Sequence, residues 1–300
     1  MPAVNGTITW QVIKRVRRIR YRSIMAIPAS QQLPVGDQLR DWRHRRRLSQ
    51  EELACLVGIS LRHMSFLETG RSAPSRAMLM RLSDRLDVPL RERNRMFTAA
   101  GFAPMYGERP LDDAGLAAAR RTIELVLRGH EPFPALAVDR HWQMHAANRA
   151  VAPFLRGVAR ELLEPPINVL RLSLHPDGVA PRIVNLGQWR AHLLHRLRQQ
   201  VESTGDAALE ELLRELQSYP APDYDETPDP AAIAVPMQLR SEFGVLSFLS
   251  TTTVFGTPVE VTLSELTIES FFPADPRTAR VMRTMSVVGR MLRFKVPRLK

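Results

Sequence analysis

The sequence predicts a helical N-terminal domain followed by an α+β domain with an antiparallel sheet of about five strands. Three observations support this prediction. Residues 49–71 contain the signals of two short helices joined by a tight turn. All of the excess positive charge lies within residues 1–100. Beyond residue 130, apolar residues alternate as in strands, first in two neighbouring segments and later in three more.

The segment 49–71 carries the start and stop signals of two helices. Ser49 and Glu52 form a capping-box pattern, and Gly58 stands where a helix ends in the left-handed conformation. Ser60 can cap the second helix, which Gly70 ends. Apolar residues recur at inward positions: Leu53, Ala54, Val57, Ile59, Met64 and Leu67. This combination favours a DNA-binding helix-turn-helix over the alternative, an ordinary helical hairpin with a solvated basic face.

The second of these helices leaves a mixed set of residues facing outward: Leu61, Arg62, His63, Ser65 and Phe66. Arg62 is the best candidate for base reading, because its guanidinium fork fits the two acceptors of guanine. Leu61 and Phe66 are apolar and can pack on a thymine methyl group. The outward face therefore combines one base-reading candidate with two apolar groups.

The charge distribution separates the two parts of the chain. Residues 1–100 hold 19 Arg or Lys against 8 Asp or Glu, whereas residues 101–300 hold 23 of each. A basic domain gains affinity for DNA by releasing the counterions of the duplex. The excess charge thus lies on the segment that carries the helix-turn-helix.

The first 34 residues contain a dense basic run over 14–22. We expect 1–34 to be a basic extension, either a disordered arm that contacts DNA or a segment that precedes a natural start at Met25. A signal peptide is not expected, because no apolar stretch of roughly 7–15 residues follows the basic run.

The remaining composition predicts a cytoplasmic protein of about two domains. No apolar run reaches the length of about 18 residues that a membrane span needs. The single cysteine, Cys55, cannot form an internal disulfide, and we expect it to be buried. A segment rich in Gly and Pro, 101–110, predicts a linker between a domain over 35–100 and a second domain over 111–295.

The first half of the second domain predicts helices around one hairpin. A helix over 111–129 precedes two alternating segments, 136–138 and 142–146, with a turn at 139–141. We expect Asn148 to cap a short helix, followed by a long helix over 188–202 and another capped by Asp206.

The second half predicts three strands and a final helix. The strands run over 233–239, 245–255 and from Val259 through Ile268, with a bulge near 264. An acidic, proline-rich loop over 219–230 precedes them. Asp275 and Pro276 have the pattern of a cap and a first helical residue, so a helix begins there.

The N-terminal domain closely resembles the Cro/C1-type (XRE) helix-turn-helix family, from Leu39 through the motifs 48–53 and 67–71 to Ser75. The resemblance implies a lambda-repressor-like fold of five helices, roughly 36–46, 50–57, 61–68, 75–86 and 90–99. It also implies that Arg43 and Glu68 form a structural ion pair. The residues expected to contact DNA are Gln50, Ser60, Leu61, Arg62, His63, Phe66, Arg71 and Ser72. Among them, Gln50, Arg71 and Ser72 would contact phosphate, and Gln50 would also brace the reading helix.

The second domain resembles the MmyB-like ligand-binding domain of bacterial regulators. The resemblance lies in the segments 135–148, 175–178, 181–185, 255–258 and 268–275. It implies a PAS-like pocket for a small apolar or fatty-acid-like ligand. The candidate ligand contacts are Trp142, Met144, Arg182, Asn185, Leu193, Leu197 and Phe248.

Catalytic motifs are not found in the sequence. There is no phosphate-binding glycine loop, nucleophile elbow or paired-cysteine metal site. His192 and His195 lie three residues apart on a predicted helix, but ordinary core or surface histidines are the more common reading, so no metal, cofactor or catalytic residue is predicted. Arg182 and Asn185 could meet a ligand carboxylate, although an internal salt bridge with Glu or Asp is the more common role of such an arginine.

The sequence as a whole predicts a sequence-specific, ligand-responsive transcription regulator that is not an enzyme. We expect a homodimer on a palindromic operator in double-stranded DNA, with repression favoured over activation. Two other classes stay open: a constitutive DNA-binding protein whose second domain only dimerises, and an enzyme that the helix-turn-helix tethers to DNA.

Overall fold

The computed structural model describes residues 33–222, 234–256 and 258–291. Nearly all of the predicted basic extension over 1–34 lies outside these ranges, as does the start of the strand predicted over 233–239.

The first domain is helical, as predicted. Its helices are α1 (Val35–Arg45), α2 (Gln50–Val57), α3 (Leu61–Glu68), α4 (Arg76–Arg85) and α5 (Leu90–Ala99). Each helix contributes to one apolar core, whose fully buried members include Leu39, Leu53, Met64, Leu79 and Phe97. The core fixes how α3 stands against α2, and so which of its residues face outward.

Local hydrogen bonds explain why the helix-turn-helix begins and ends where it does. The Ser49 hydroxyl accepts from the Glu52 amide at 3.1 Å, and the Glu52 carboxylate accepts from the Ser49 amide at 2.6 Å. Gly58 ends α2 with a left-handed φ of 69°. The Ser60 hydroxyl accepts from the His63 amide at 3.2 Å and caps α3. All three features follow the sequence prediction.

The prediction that Cys55 is buried is wrong, because its side chain is exposed. The inward face of α2 consists of Leu53, Ala54 and Val57. Cys55 lies on the opposite side of the helix, where its neighbour Leu56 is also exposed. Helix periodicity was the relevant signal, and it favours the outer face.

Gly36 lies where α1 meets the end of α3 in very close contact. A Cβ atom at this position would stand 2.6 Å from the carbonyl oxygens of both Leu67 and Glu68. These are backbone atoms, which cannot turn aside as a side chain can. We expect Gly36→Ala to lower the free energy of unfolding by about 1–3 kcal/mol through overpacking, measured by urea denaturation.

Gly129 provides the matched control, because it is also helical but a methyl group added there would have no atom within 4 Å of it. At this position Gly→Ala should stabilise by about 0.5–1 kcal/mol through the ordinary helix preference. Equal effects at both positions would contradict the steric argument at Gly36.

The second domain is α+β. After a 3₁₀ turn (Ala114–Leu116), its helices are α6 (Ala117–Gly129), α7 (Val169–Leu174), α8 (Leu186–Thr204), α9 (Ala207–Ser218), α10 (Val261–Ser264) and α11 (Pro276–Met291). Further 3₁₀ turns cover Arg149–Leu155, Arg160–Leu163 and Ala180–Arg182. The predicted caps at Asp206 and Asp275 both form: Asp206 accepts from the Ala208 amide at 3.0 Å, and Asp275 from the Thr278 amide at 2.7 Å.

The sheet has five antiparallel strands in the order β2-β1-β5-β4-β3, as the sequence predicted. The strands are β1 (Ala135–Val138), β2 (Met144–Ala147), β3 (Met237–Ser241), β4 (Gly244–Val254) and β5 (Thr267–Pro273). The last strand therefore lies in the middle of the sheet, between β1 and β4. Helices α7, α8 and α9 contribute to the largest apolar core together with residues from β1, β2 and β3.

The hairpin differs from its prediction at Trp142. The residue lies before β2 and has a positive φ of 63°. Its backbone amide donates to Asp139 in the turn, and its indole donates to Gln200 on α8 at 2.9 Å. Trp142 thus belongs to a longer turn, and the strand begins two residues later.

The strand predicted from Val259 is wrong in its first half. Residues 261–264 form the single-turn helix α10, and β5 begins only at Thr267. The Glu260 carboxylate caps α10 by accepting from the Leu263 amide at 2.9 Å, and it also accepts from the Arg109 amide at 2.7 Å. The predicted bulge is therefore this helix.

Asn148 does not cap the following turn, contrary to prediction. Its amide nitrogen donates to the carbonyls of Leu127 at 3.0 Å and Phe133 at 2.7 Å. Its amide oxygen accepts from Ala135 at 3.2 Å. Asn148 instead ties the end of α6 to the start of the sheet.

Candidate DNA-reading face and ligand cavity

The outward face of α3 brings two arginines to one aromatic ring. The Cζ atom of Arg62 lies 5.3 Å from the centre of the Phe66 ring, and that of Arg71 lies 5.9 Å from it. Such cation–π contacts hold a guanidinium in place without using its N–H donors. Both arginines are exposed, so their donors stay available to bases or phosphates.

The other predicted DNA contacts lie around this pair. Leu61 is 49% exposed beside Arg62, and His63 is half-buried on the same helix. The Ser72 amide donates to the Phe66 carbonyl at 3.1 Å, which holds the segment after α3 against the helix. Ser60 stands exposed at the start of α3. These residues all lie on α3 or within a few residues of its ends.

Gln50 has a different environment. Its side-chain amide donates to the Glu68 carboxylate at 2.7 Å, so it connects the start of α2 to the end of α3. The role of Gln50 in DNA binding stays a prediction. The amide oxygen forms no hydrogen bond within the described residues.

Arg43 and Glu68 form a buried ion pair with two parallel hydrogen bonds. The distances from Arg43 Nε to Glu68 Oε1 and from Nη2 to Oε2 are 2.7 Å and 2.9 Å. Burial raises the pKa of Glu68, but hydrogen bonds from Arg43 and Gln50 and the charges of Arg43 and Arg40 outweigh it, so its pKa lies below the usual value. The pair joins α1 to α3.

The second domain contains an apolar cavity of about 110 Å³ between the sheet and α7 and α8. Its walls include the two tryptophans of this domain, Trp142 and Trp189, together with Leu136, Leu170, Leu193 and Phe271. Four polar side chains reach it: Ser173, Arg196, Ser250 and Glu269. A cavity with apolar walls and a few polar groups is typical of a small-molecule site.

Two of the seven predicted ligand contacts, Trp142 and Leu193, line this cavity. Met144, Leu197 and Phe248 are not among the lining residues, and their side chains are buried in the apolar cores. Phe248 packs edge-on against Phe154 at 5.5 Å between ring centres. Sequence periodicity marked these residues as buried without showing which wall they belong to.

Arg182 and Asn185 also lie away from the cavity lining. The Arg182 guanidinium donates to the Phe154 carbonyl, and burial lowers its pKa. The Asn185 side chain donates to the Pro236 carbonyl at 2.8 Å and accepts from the Gln238 amide at 3.0 Å. Arg182 thus holds the 3₁₀ turn Arg149–Leu155, and Asn185 holds the start of β3.

The sequence reasoning missed Arg196 and Glu269. Arg196 Nη2 lies 2.9 Å from Glu269 Oε1, and the Arg196 Cζ atom lies 5.0 Å from the centre of the Trp142 ring. One signal was available: Arg196 follows Trp189 and Leu193 at helical spacing, which places a charge on the apolar stripe of α8.

His192 and His195 lie on α8. Within the described ranges, no group of three or more His, Cys, Asp or Glu side chains is arranged to hold a metal ion. Burial lowers the pKa of His192, and the nearby charges of Arg196 and His195 lower it further. His192 packs beside Trp189, with 5.5 Å between ring centres.

Ion pairs join the two domains. On α5, Arg91 Nε and Nη2 lie 2.7 Å and 2.9 Å from the two carboxylate oxygens of Glu265, and Arg91 also contacts Glu108. Glu265 in turn lies 3.7 Å from Arg140, which lies 3.5 Å from Asp206. The chain of contacts thus runs from the DNA-binding fold to the turn that carries Trp142.

The predicted linker is held between the two folds. The Asn94 side chain on α5 accepts from the amides of Met105 at 2.9 Å and Tyr106 at 3.0 Å. Further along, the Gly107 carbonyl accepts from the Val261 amide at 2.8 Å. These contacts attach the segment to α5 on one side and to α10 on the other.

A helix-turn-helix fold linked to an α+β domain with an apolar cavity defines a class of DNA-binding transcription regulators that carry a ligand-binding domain. Residues 119–285 match the family described as MmyB-like transcription regulator ligand binding domain, and residues 34–96 match a helix-turn-helix domain. The first match spans more than half of the chain, and the chain therefore belongs to the MmyB-like family. Both matched families are those of DNA-binding regulators.

No curated protein matches the sequence at a significant level. None of the helices in the described part of the chain combines the length and the apolar character needed to cross a membrane.

Proposed function

We propose that this chain binds a palindromic DNA operator as a homodimer and that a small apolar molecule in the cavity changes its affinity for that operator. The observation that carries the DNA part is the placement of Arg62, at the start of α3, and Arg71, just after its end, against the same Phe66 ring. Each chain has one such face, and two copies can read half-sites about 10 base pairs apart.

The ligand part is supported by the cavity and its link to the first domain. Trp142 lines the cavity and follows directly after His141, whose ring nitrogen lies 2.8 Å from Asp206. Glu269 lines the cavity from β5, and Glu265 lies just before that strand. A ligand that moves either wall would alter the contacts around Glu265 and hence the position of α5. Repression is the proposed outcome, since a DNA-bound dimer blocks a promoter without needing a further partner.

Selection from a random DNA library tests this proposal, carried out with and without a cell lipid extract. We expect an enriched motif with two-fold symmetry. We also expect the enrichment of this motif to decrease or increase when the extract is present. Failure to enrich any motif would overturn sequence-specific binding. An enriched motif that never responds to the extract would instead favour the constitutive DNA-binding protein.

Replacing Arg62 with alanine should affect DNA binding differently from replacing Arg71 with alanine. Arg62→Ala is expected to cost about 1–3 kcal/mol on the selected operator and to relax the preference at one base position. Arg71→Ala is expected to weaken binding to all DNA sequences alike. It should also reduce the magnitude of the slope of log affinity against log salt concentration by about 1. Fluorescence anisotropy at several salt concentrations measures both effects.

Arg121→Ala is the matched control for this pair, since Arg121 is an exposed arginine on α6 in the other domain. It should leave both the affinity and the salt slope unchanged. A uniform loss with Arg62→Ala, with base preferences intact, would assign Arg62 to phosphate instead of a base.

A further inference from the structure

The Phe66 ring contacts a candidate for base reading and a candidate for phosphate binding at the same time. The Cζ atoms of Arg62 and Arg71 lie 5.3 Å and 5.9 Å from the ring centre. Arg62 reaches the ring because it stands four residues earlier on the same helix. Arg71 reaches it because Gly70, with a left-handed φ of 71°, turns the chain after α3. One half-buried ring thus serves two exposed cations.

The ring is the main restraint on both guanidinium groups. Within the described residues, neither Arg62 nor Arg71 forms a hydrogen bond or an ion pair through its side chain. Other arginines of the same domain are held differently: Arg43 donates to the Glu68 carboxylate and Arg40 to the carbonyl of the same residue. The two arginines of the outward face therefore keep all their donors and depend on the ring for their position.

We propose that Phe66 is a positioning residue of the DNA-reading face, whose ring holds Arg62 and Arg71 at a fixed spacing so that the base contact and the phosphate contact form together. In this role the ring acts through the two cations and not by packing on a thymine methyl group, as the sequence suggested. The inference rests on the proposed DNA binding and adds a role for one residue within that face.

The physical reason is preorganisation. Two exposed arginines without a restraint repel each other and sample many rotamers, and fixing these long side chains on DNA costs conformational entropy. The negative face of an aromatic ring attracts a cation that lies within about 6 Å of its centre. A ring that already holds both cations in the free protein reduces the entropy lost on binding and so raises the affinity. Leucine is apolar but lacks this charge distribution.

The backbone of Phe66 has a separate role that a side-chain exchange does not remove. Its carbonyl accepts from the Ser72 amide at 3.1 Å, which holds the segment after α3 against the helix. This hydrogen bond does not involve the ring. Phe66→Leu therefore removes the cation–π contacts while the path of the chain through Arg71 and Ser72 is retained.

The test compares Phe66→Leu with Phe66→Tyr in the full-length protein on the operator selected with the wild type. We expect Phe66→Leu to lower the affinity about tenfold, and Phe66→Tyr, which keeps an aromatic face, to stay within about twofold of the wild type. Both arginines are still present in Phe66→Leu, so the slope of log affinity against log salt concentration should not change. Phe243→Leu exchanges an exposed phenylalanine of the second domain and should alter neither quantity.

The same exchange in the Arg62→Ala and Arg71→Ala proteins separates positioning from direct contact. If the ring acts through the arginines, Phe66→Leu should reduce the affinity by a smaller factor in each of these proteins than in the wild type, because one of its two cations is missing. A ring that packs on a thymine methyl group would give the same factor in all three proteins. That result, or equal losses in Phe66→Leu and Phe66→Tyr, would overturn the inference.

Nuclear magnetic resonance of the wild type without DNA gives an independent measurement. Protons beside an aromatic ring are shifted by its ring current, so the Nε–H signals of Arg62 and Arg71 should lie away from their random-coil positions and return to them in Phe66→Leu. Random-coil signals in the wild type would overturn the inference even if Phe66→Leu does not fold, which circular dichroism checks.

The outcomes also separate this inference from the proposed function. If Phe66→Leu binds the operator as tightly as the wild type, the inference is overturned while sequence-specific DNA binding stands. If the wild type selects no DNA motif, the proposed function is overturned and the inference with it.

Discussion

Replacing Glu68 with alanine is expected to lower the free energy of unfolding of the N-terminal domain by about 3–5 kcal/mol, because it leaves the buried Arg43 cation uncompensated. Arg43 and Glu68 are bonded at 2.7 Å and 2.9 Å, and Gln50 bonds the same carboxylate at 2.7 Å. Single domains are stable by only about 5–15 kcal/mol. The variant should therefore lose DNA binding as its domain unfolds at physiological temperature.

Urea denaturation followed by circular dichroism measures this loss. Glu51→Ala is the matched control, since Glu51 is an exposed glutamate in the first turn of α2, and it should cost less than about 1 kcal/mol. The double variant Arg43→Met, Glu68→Leu is expected to recover much of the stability, because replacing both charges by apolar groups removes the desolvation cost. A double variant as unstable as Glu68→Ala would show that shape, not charge, controls this site.

The same pair gives the protein a defined response to acid. Hydrogen bonds from Arg43 and Gln50 hold the pKa of Glu68 below its usual value despite burial, which acts in the opposite direction. A carboxyl group whose pKa is lower in the folded than in the unfolded protein stabilises the folded state. This stabilisation is complete above the pKa of the unfolded protein and is lost as the pH falls toward the pKa of the folded protein. Wild-type stability should therefore decrease more steeply below about pH 4.5 than that of Glu68→Gln.

The helix-turn-helix could be predicted closely because its signals are local. The caps at Ser49 and Ser60 and the left-handed Gly58 act within four residues of chain. Five helices then appear within one residue of their expected ends. The Arg43–Glu68 contact spans 25 residues, and only the family resemblance pointed to it.

In the second domain, local sequence patterns do not predict every element. Strand alternation predicted five strands, but it placed the start of the last one too early. The helix α10 was missed because its cap is Glu260, which also binds Arg109, a residue 151 positions away. Periodicity does not identify the conformation of a short apolar run when that conformation depends on such a contact.

The cavity was the least predictable feature. Arg196 and Glu269 lie 73 residues apart in sequence, and they meet only because β5 inserts between β1 and β4. Knowing which apolar residues are buried does not reveal which of them face an empty volume. For this reason Trp142 and Leu193 line the cavity, whereas Met144, Leu197 and Phe248 fill the cores around it.

Replacing Arg91 with glutamine is expected to uncouple the ligand from DNA while both folds stay intact. Arg91 is the α5 side of the contact with Glu265, and both side chains are largely buried, 13% and 15% exposed. Burial lowers the pKa of Arg91, but the hydrogen bond and charge of Glu265 outweigh it and raise the pKa overall. The arginine is thus a permanent cation in this interface, and removing it should weaken the contact between the domains by about 2–5 kcal/mol.

The measurement is the affinity for the selected operator with and without the cell lipid extract. A coupled regulator is expected to shift by about 5–150-fold, and Arg91→Gln should reduce that shift to nearly one while it leaves the affinity without ligand within a few-fold of the wild type. Arg95→Gln is the control on the same helix, because Arg95 pairs with Glu92 three residues away within α5. It should keep the full shift.

Glu265→Gln separates this contact from a general loosening of the domain interface. If the pair transmits the signal, Glu265→Gln and the double variant should uncouple the ligand to the same extent as Arg91→Gln, since each removes one interaction. A full ligand response in Arg91→Gln would show that the signal passes elsewhere, through the backbone contact between Gly107 and Val261. In that case the ion pairs only hold the two domains together, and the position of α10 controls the DNA-binding fold.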